Sequence, residues 1–167
     1  MNRLIGRRLP DIELQSTDGR MINPSRLAGT SIFFCYPFTG RPDYPNPPDW
    51  DNIPGAHGST PQAQAFSTRY GEFKRLDVKV FGLSFQNTEW QKEFVTRTAL
   101  IVPLLSDYAK LFTNALLLST FKAGADDYLR RITLVSKDGF ITHARYPIDI
   151  PEKDAAETLK LFENVSP

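Results

Sequence analysis

Ser59 is the position in this sequence where a side chain stands in a setting that could make it reactive. It lies in the run Ile53-Pro54-Gly55-Ala56-His57-Gly58-Ser59-Thr60-Pro61-Gln62-Ala63, a glycine-rich turn that leads into a helix. Gly55 and Gly58 supply the backbone freedom for a sharp approach. Thr60 is a good N-cap, and Pro61 suits the first helical position because its missing N–H is no loss there. Ser59 is therefore expected just ahead of a helix N-terminus, among unpaired N–H groups and the positive end of the helix dipole. Such a place favours an anion, or the anionic form of a side chain, and a cysteine there would be a low-pKa thiolate. His57 invites a second chemistry, with serine as nucleophile and histidine as base. That chemistry also needs a group to orient the histidine and an oxyanion hole, and Gly58-Ser59 is not set in a G-x-S-x-G elbow. His57 reads instead as an exposed loop residue flanking the pocket.

The elements that must hold this turn follow from pattern. Ser31-Ile32-Phe33-Phe34-Cys35-Tyr36 is an unbroken apolar run, the signature of a strand covered on both faces. Val78-Lys79-Val80-Phe81-Gly82-Leu83-Ser84 is a second. Between them the spacing of Ala63, Phe66, Tyr70, Phe73 and Leu76 predicts one helix from about Thr60 to Arg75. Leu9–Leu14 and Met21–Asn23 form an N-terminal hairpin around Asp18-Gly19. Thr88 caps a helix through Trp90, Phe94, Val95 and Leu100, and Val102–Asp107 is a short extended piece. Ser106 or Asp107 caps another helix, through Leu111, Ala115 and Leu118. Arg131–Ser136 and Phe140–Tyr146 flank Asp138-Gly139, the strongest hairpin signal in the chain. Pro151 opens a last helix with Ala155, Leu159, Leu161 and Phe162 on its apolar side. Strands alternating with helices imply an α/β fold, with a mixed central sheet, helices on both faces and an N-terminal β-hairpin.

Bulk properties narrow the function. A length of 167 residues suits one domain over 1–167. A net charge of +1 gives no electrostatic reason for nucleic-acid or membrane partners. No apolar run reaches the length of a membrane span, and the first residues lack a signal-peptide core, so a cytoplasmic location is expected. The single cysteine, Cys35, excludes an internal disulfide, and inside a buried strand it reads as an inert small hydrophobe. His57 and His143 lack ligand spacing, so neither a metal nor a cofactor is expected, and His143 reads as solvated on an edge strand. Residues 41–57, with five prolines at 42, 45, 47, 48 and 54, form a Pro-rich insertion before the helix, read as a covering loop anchored by Trp50.

Several stretches, in order, resemble the peroxiredoxin family. Leu9-Pro10-Asp11-Ile12-Glu13-Leu14 with Asp18-Gly19, and Phe33–Gly40, are similar to its opening. Phe81–Ser84 with Pro103–Asp107 is similar to its middle, and Arg131-Ile132-Thr133-Leu134-Val135 to its late strand. The branch most resembled is the bacterioferritin-comigratory, or Q-type, group of the AhpC/TSA proteins. The resemblance implies a thioredoxin-like fold and an antioxidant oxidoreductase activity, peroxide reduction by a cysteine thiolate. It also implies a hydroperoxide substrate and an external thiol reductant of the thioredoxin or glutaredoxin type. It puts the peroxidatic position at Ser59 and the active-site arginine at Arg131. Gly58, Thr60 and Pro54 would be substrate-binding, with Pro37 an alternative to Pro54 as the shielding proline.

The departures from that pattern matter as much. Ser59 replaces the nucleophile, Gln64 stands where many Q-type members carry a resolving cysteine, and Ala56 stands where a threonine is usual. A thiolate attacks the O–O bond and climbs an oxidation ladder that a serine oxygen does not have. As written, the chain is expected to lack peroxidase activity. Either the serine is native, or it replaces a native cysteine. The first case implies a non-catalytic relative binding a small anion or a protein in the same pocket. In the second the thiolate would work by a one-cysteine mechanism.

Overall fold

The computed structural model describes residues 2–163. Its centre is a seven-stranded sheet in the order β2-β1-β5-β4-β3-β8-β9. The two apolar runs form β3 (Thr30–Cys35) and β4 (Val78–Ser84), and β5 (Leu104–Ser106) extends them in parallel. β1 (Leu14–Ser16) and β2 (Met21–Ile22) form the N-terminal hairpin, shorter than its sequence pattern, and β1 runs antiparallel to β5. β8 (Ile132–Lys137) and β9 (Phe140–Arg145) are the Asp-Gly hairpin, antiparallel on the other side of β3.

Strand alternation divides the core in two. Phe33, Cys35, Phe81, Leu83 and Leu134 face one side, where Phe112 and Leu116 of α4 (Leu111–Leu116) cover them. Ile32, Phe34, Val80 and Val135 face the other, under α1 (Ser59–Thr68), α2 (Tyr70–Arg75), α3 (Thr88–Thr98) and α5 (Asp154–Glu163). Helices on both faces are thus what the sequence implied. One stack ties β3 to α1, with Phe34 and Phe66 centroids 4.4 Å apart and planes 3° from parallel. Gly82 makes room for it, since a Cβ there would sit 2.7 Å from Phe34 and 2.6 Å from Leu104.

Several expectations need correction. The single helix over 60–75 is two, α1 and α2, broken at Arg69, and Leu76 is exposed. The cap is not Thr60. Gly58 takes the N-cap position at φ 111°, a left-handed conformation that only glycine adopts cheaply, and Ser59 is the first helical residue. Asn87, not Thr88, caps α3 by accepting from Trp90 N–H. In α4, Leu111 is exposed, and Phe112, Thr113 and Leu116 are the buried residues. Asp107 does close that helix, its carboxylate accepting from the N–H groups of Phe112 and Thr113 and from the Thr113 hydroxyl. A hairpin of β6 (Thr120–Ala123) and β7 (Asp126–Leu129) was not anticipated. Its strands are short and polar, with Lys122, Asp126 and Asp127 hiding the alternation.

Candidate active site

Two strand ends bring the site together. The chain leaves β3 at Cys35, and register pairs Cys35 with Ile132, so Arg131 enters β8 at the same end of the sheet. Alternation then sends Arg131, with Thr133 and Val135, to the side covered by α1 and α5, while Arg130 stays exposed. The long loop after β3 returns through Gly58 to start α1 beside Arg131.

Arg131 is 94% buried, being 6% exposed, and Ser59 is 3% exposed. The arginine Nη1 donates to Ser59 Oγ at 3.2 Å and to Gln62 Oε1 at 2.5 Å. Its Nη2 donates to the carbonyls of Gly55 at 3.3 Å, Ala56 at 3.4 Å and His57 at 3.1 Å. Nε has no partner among the described residues. Burial pushes the guanidinium pKa down to about 10, an effect that Asp154 partly opposes. A group with that value is still charged at neutral pH. Position 59 therefore combines a helix N-terminus with a desolvated cation, two influences that stabilise a negative charge on a side chain.

Ser59 opens to a recess of about 230 Å³ lined by Phe38, Trp50, Ala56, Gly58 and Thr60. Trp50 is 5% exposed and packs against Phe38, Phe121 and Tyr128, so the proline-rich stretch is anchored where the sequence suggested. Pro54 lies outside this recess. It is exposed and borders a separate cleft with Gly55, Phe121, Arg130, Arg131 and Tyr146. Pro37 is buried and lines a third recess, of about 470 Å³, with Phe38, Phe85 and Trp90.

His57 is exposed, and its Nε2 lies 2.5 Å from Asp51 Oδ1. Ser59 Oγ takes its hydrogen bond from a cation, not from this imidazole. Gln64 is exposed on the outer side of α1, and His143 is exposed on edge strand β9. Cys35 is fully buried and free, and burial pushes its thiol well above the usual range. Among the described residues there is no group of three or more His, Cys, Asp or Glu that could hold a metal ion. Nor is any helix long and apolar enough to cross a membrane.

Two site residues escaped the sequence reading. Gln62 is fully buried and bridges Arg131 to Asp154, a buried carboxylate at the start of α5. The available signal was spacing, because residues three apart on a helix share a face, which puts Gln62 beside Ser59.

The Redoxin family model matches residues 4–159, nearly the full length. The chain belongs to the Redoxin family. It is 27% identical over 165 residues to chloroplastic peroxiredoxin Q of Oryza sativa subsp. japonica, covering 96% of this chain and 67% of the rice protein. The fold is thioredoxin-like, as its neighbours among solved structures show. A Cys→Ser mutant of Xylella fastidiosa PrxQ superposes with a TM-score of 0.75 at 18% identity, covering 94% of this chain and 93% of that one. The bacterioferritin comigratory protein of Xanthomonas campestris, described for alkyl peroxide reduction, gives 0.73 at 18% identity, covering 93% and 94%. This Redoxin chain thus sits in the peroxiredoxin Q and bacterioferritin-comigratory branch, and its scaffold is that of a thiol peroxidase.

Proposed function

We propose that this chain is a peroxiredoxin-type site assembled around a serine, and that it does not turn over peroxide as it stands. The contact between Arg131 Nη1 and Ser59 Oγ at the first residue of α1 carries this reading. Everything that would lower a thiol's pKa converges on an oxygen. The one thiol in the chain, Cys35, is fully buried in β3 with its pKa raised, so it does not substitute.

With cysteine at position 59, the thiolate would attack the terminal oxygen of a hydroperoxide. An S–O bond forms, the O–O bond breaks, and the departing alkoxide or hydroxide takes up a proton to leave as alcohol or water. The resulting sulfenic acid has no second cysteine in α1, where Gln64 stands. A small dithiol or a thioredoxin- or glutaredoxin-like protein would reduce it, releasing water and an oxidised disulfide. The test is the Ser59→Cys chain mixed with hydrogen peroxide and dithiothreitol.

A second reading, a non-catalytic relative that binds a small anion or a protein partner, draws support from Ala56 and Arg131. Ala56 is buried where the family resemblance calls for a threonine, and three loop carbonyls already engage Arg131 Nη2. The gene's codon at position 59 separates the two readings. A cysteine codon in the natural gene supports the peroxidase, and a serine codon supports the binding protein.

A further inference from the structure

We propose that Asp154 is a positioning residue for the Arg131–Ser59 pair, acting through the side-chain amide of Gln62; the inference rests on the reading of position 59 given above. Asp154 is 1% exposed at the N-terminus of α5. Four donors converge on its carboxylate. Thr133 Oγ1 at 2.6 Å and Gln62 Nε2 at 3.0 Å reach Oδ2, while Arg145 Nε and Thr158 Oγ1, each at 3.2 Å, reach Oδ1.

The consequence is a fixed polarity along a chain of buried groups. A carboxylate has only acceptors to offer, so the amide must turn its NH2 toward Asp154. Its carbonyl oxygen then faces Arg131 Nη1 at 2.5 Å, and the same nitrogen reaches Ser59 Oγ at 3.2 Å. Were Gln62 to flip, its NH2 would oppose the guanidinium N–H groups and drive the cation away from position 59. An asparagine in place of Asp154 permits that flip, because its own NH2 can bond the Gln62 carbonyl. Thr133, two residues beyond Arg131 on the same face of β8, holds the carboxylate in line. The first residue of the last helix thereby sets the hydrogen-bond order of a site formed 95 positions earlier in the chain.

The test titrates the thiol of Ser59→Cys by its alkylation rate against pH, a readout to which buried Cys35 contributes nothing. Two accounts give opposite signs. If Asp154 is merely a nearby negative charge, Asp154→Asn lowers the pKa of the introduced thiol. If it positions Arg131, that substitution raises the pKa by about 1 because the cation is lost from the thiolate. Gln62→Leu then produces the same rise, and the double variant adds little to either single one. A fall in pKa, no change, or fully additive effects would overturn the proposal. Should Asp154→Asn not fold, hydrogen exchange on the otherwise unaltered chain still decides. The side-chain amide protons of Gln62, held between carboxylate and site, must exchange far more slowly than those of exposed Gln64, and equal rates refute the relay. A low thiol pKa that responds to Asp154 without peroxide turnover would leave the relay standing and refute only the peroxidase reading.

Discussion

Arg131 and Ser59 are 72 positions apart in the chain, and their side chains meet at 3.2 Å in the buried interior. Neither element that carries them holds that contact alone. β3 fixes the end of the sheet where Arg131 emerges, and the Phe34–Phe66 stack seats α1 so that its first residue arrives there.

The entry to α1 depends on one glycine. Gly58 has φ 111°, and a Cβ at this position would lie 2.6 Å from Pro151 Cγ and 3.0 Å from its Cβ, a ring with little freedom to yield. Gly58→Ala should therefore cost about 2 kcal/mol or more, combining left-handed strain with the clash. Urea denaturation of the two proteins measures it. The neighbouring contact between Ser59 and Arg131 should loosen, seen as faster amide exchange at Ser59 and Thr60.

Burial of Arg131 makes a pH prediction with a definite sign. Its folded pKa, about 10, lies below that of an unfolded arginine, so between the two the unfolded chain holds more protons than the folded one. Stability contributed by this residue must then rise with pH across that window, and the desolvation penalty is fully present below it. At neutral pH, Arg131→Met should lower stability by about 2 kcal/mol, because the Gln62 carbonyl and the loop carbonyls lose their donor. The gap between the two proteins should widen in favour of the unaltered chain from pH 9.5 to 11. Denaturation midpoints at both values check it, and other titrating groups cancel in the difference.

Cys35 should behave as a packing residue. It is fully buried between β4 and β8, and burial raises its thiol pKa. Alkylation of the native protein should proceed only as fast as the sheet opens, and should become rapid in denaturant. Prompt labelling under native conditions would contradict the placement.

Much of this architecture was readable from residue patterns, because patterns report burial. The continuous apolar runs of β3 and β4, and the Asp138-Gly139 turn, each have one physical explanation. The glycine-rich turn into α1 was legible as a turn, but its cap was placed at Thr60 because the left-handed backbone that makes Gly58 the N-cap does not show in residue types alone. What stayed hidden depends on distant neighbours. Gln62 and Asp154 are polar residues that look solvated in a linear reading, and only α1 packed on α5 reveals that each satisfies the other. The cleft that Pro54 borders was hidden in the same way, because Phe121, Arg130 and Tyr146 come to it from distant parts of the chain.

Peroxide consumption tests the central claim most directly. Purified Ser59→Cys and the unaltered chain, both folded by circular dichroism, are given hydrogen peroxide with dithiothreitol in excess. The account predicts catalytic consumption by the cysteine variant and only background loss with the serine chain. A folded cysteine variant that leaves peroxide at background, or a serine chain that turns it over equally well, would contradict it.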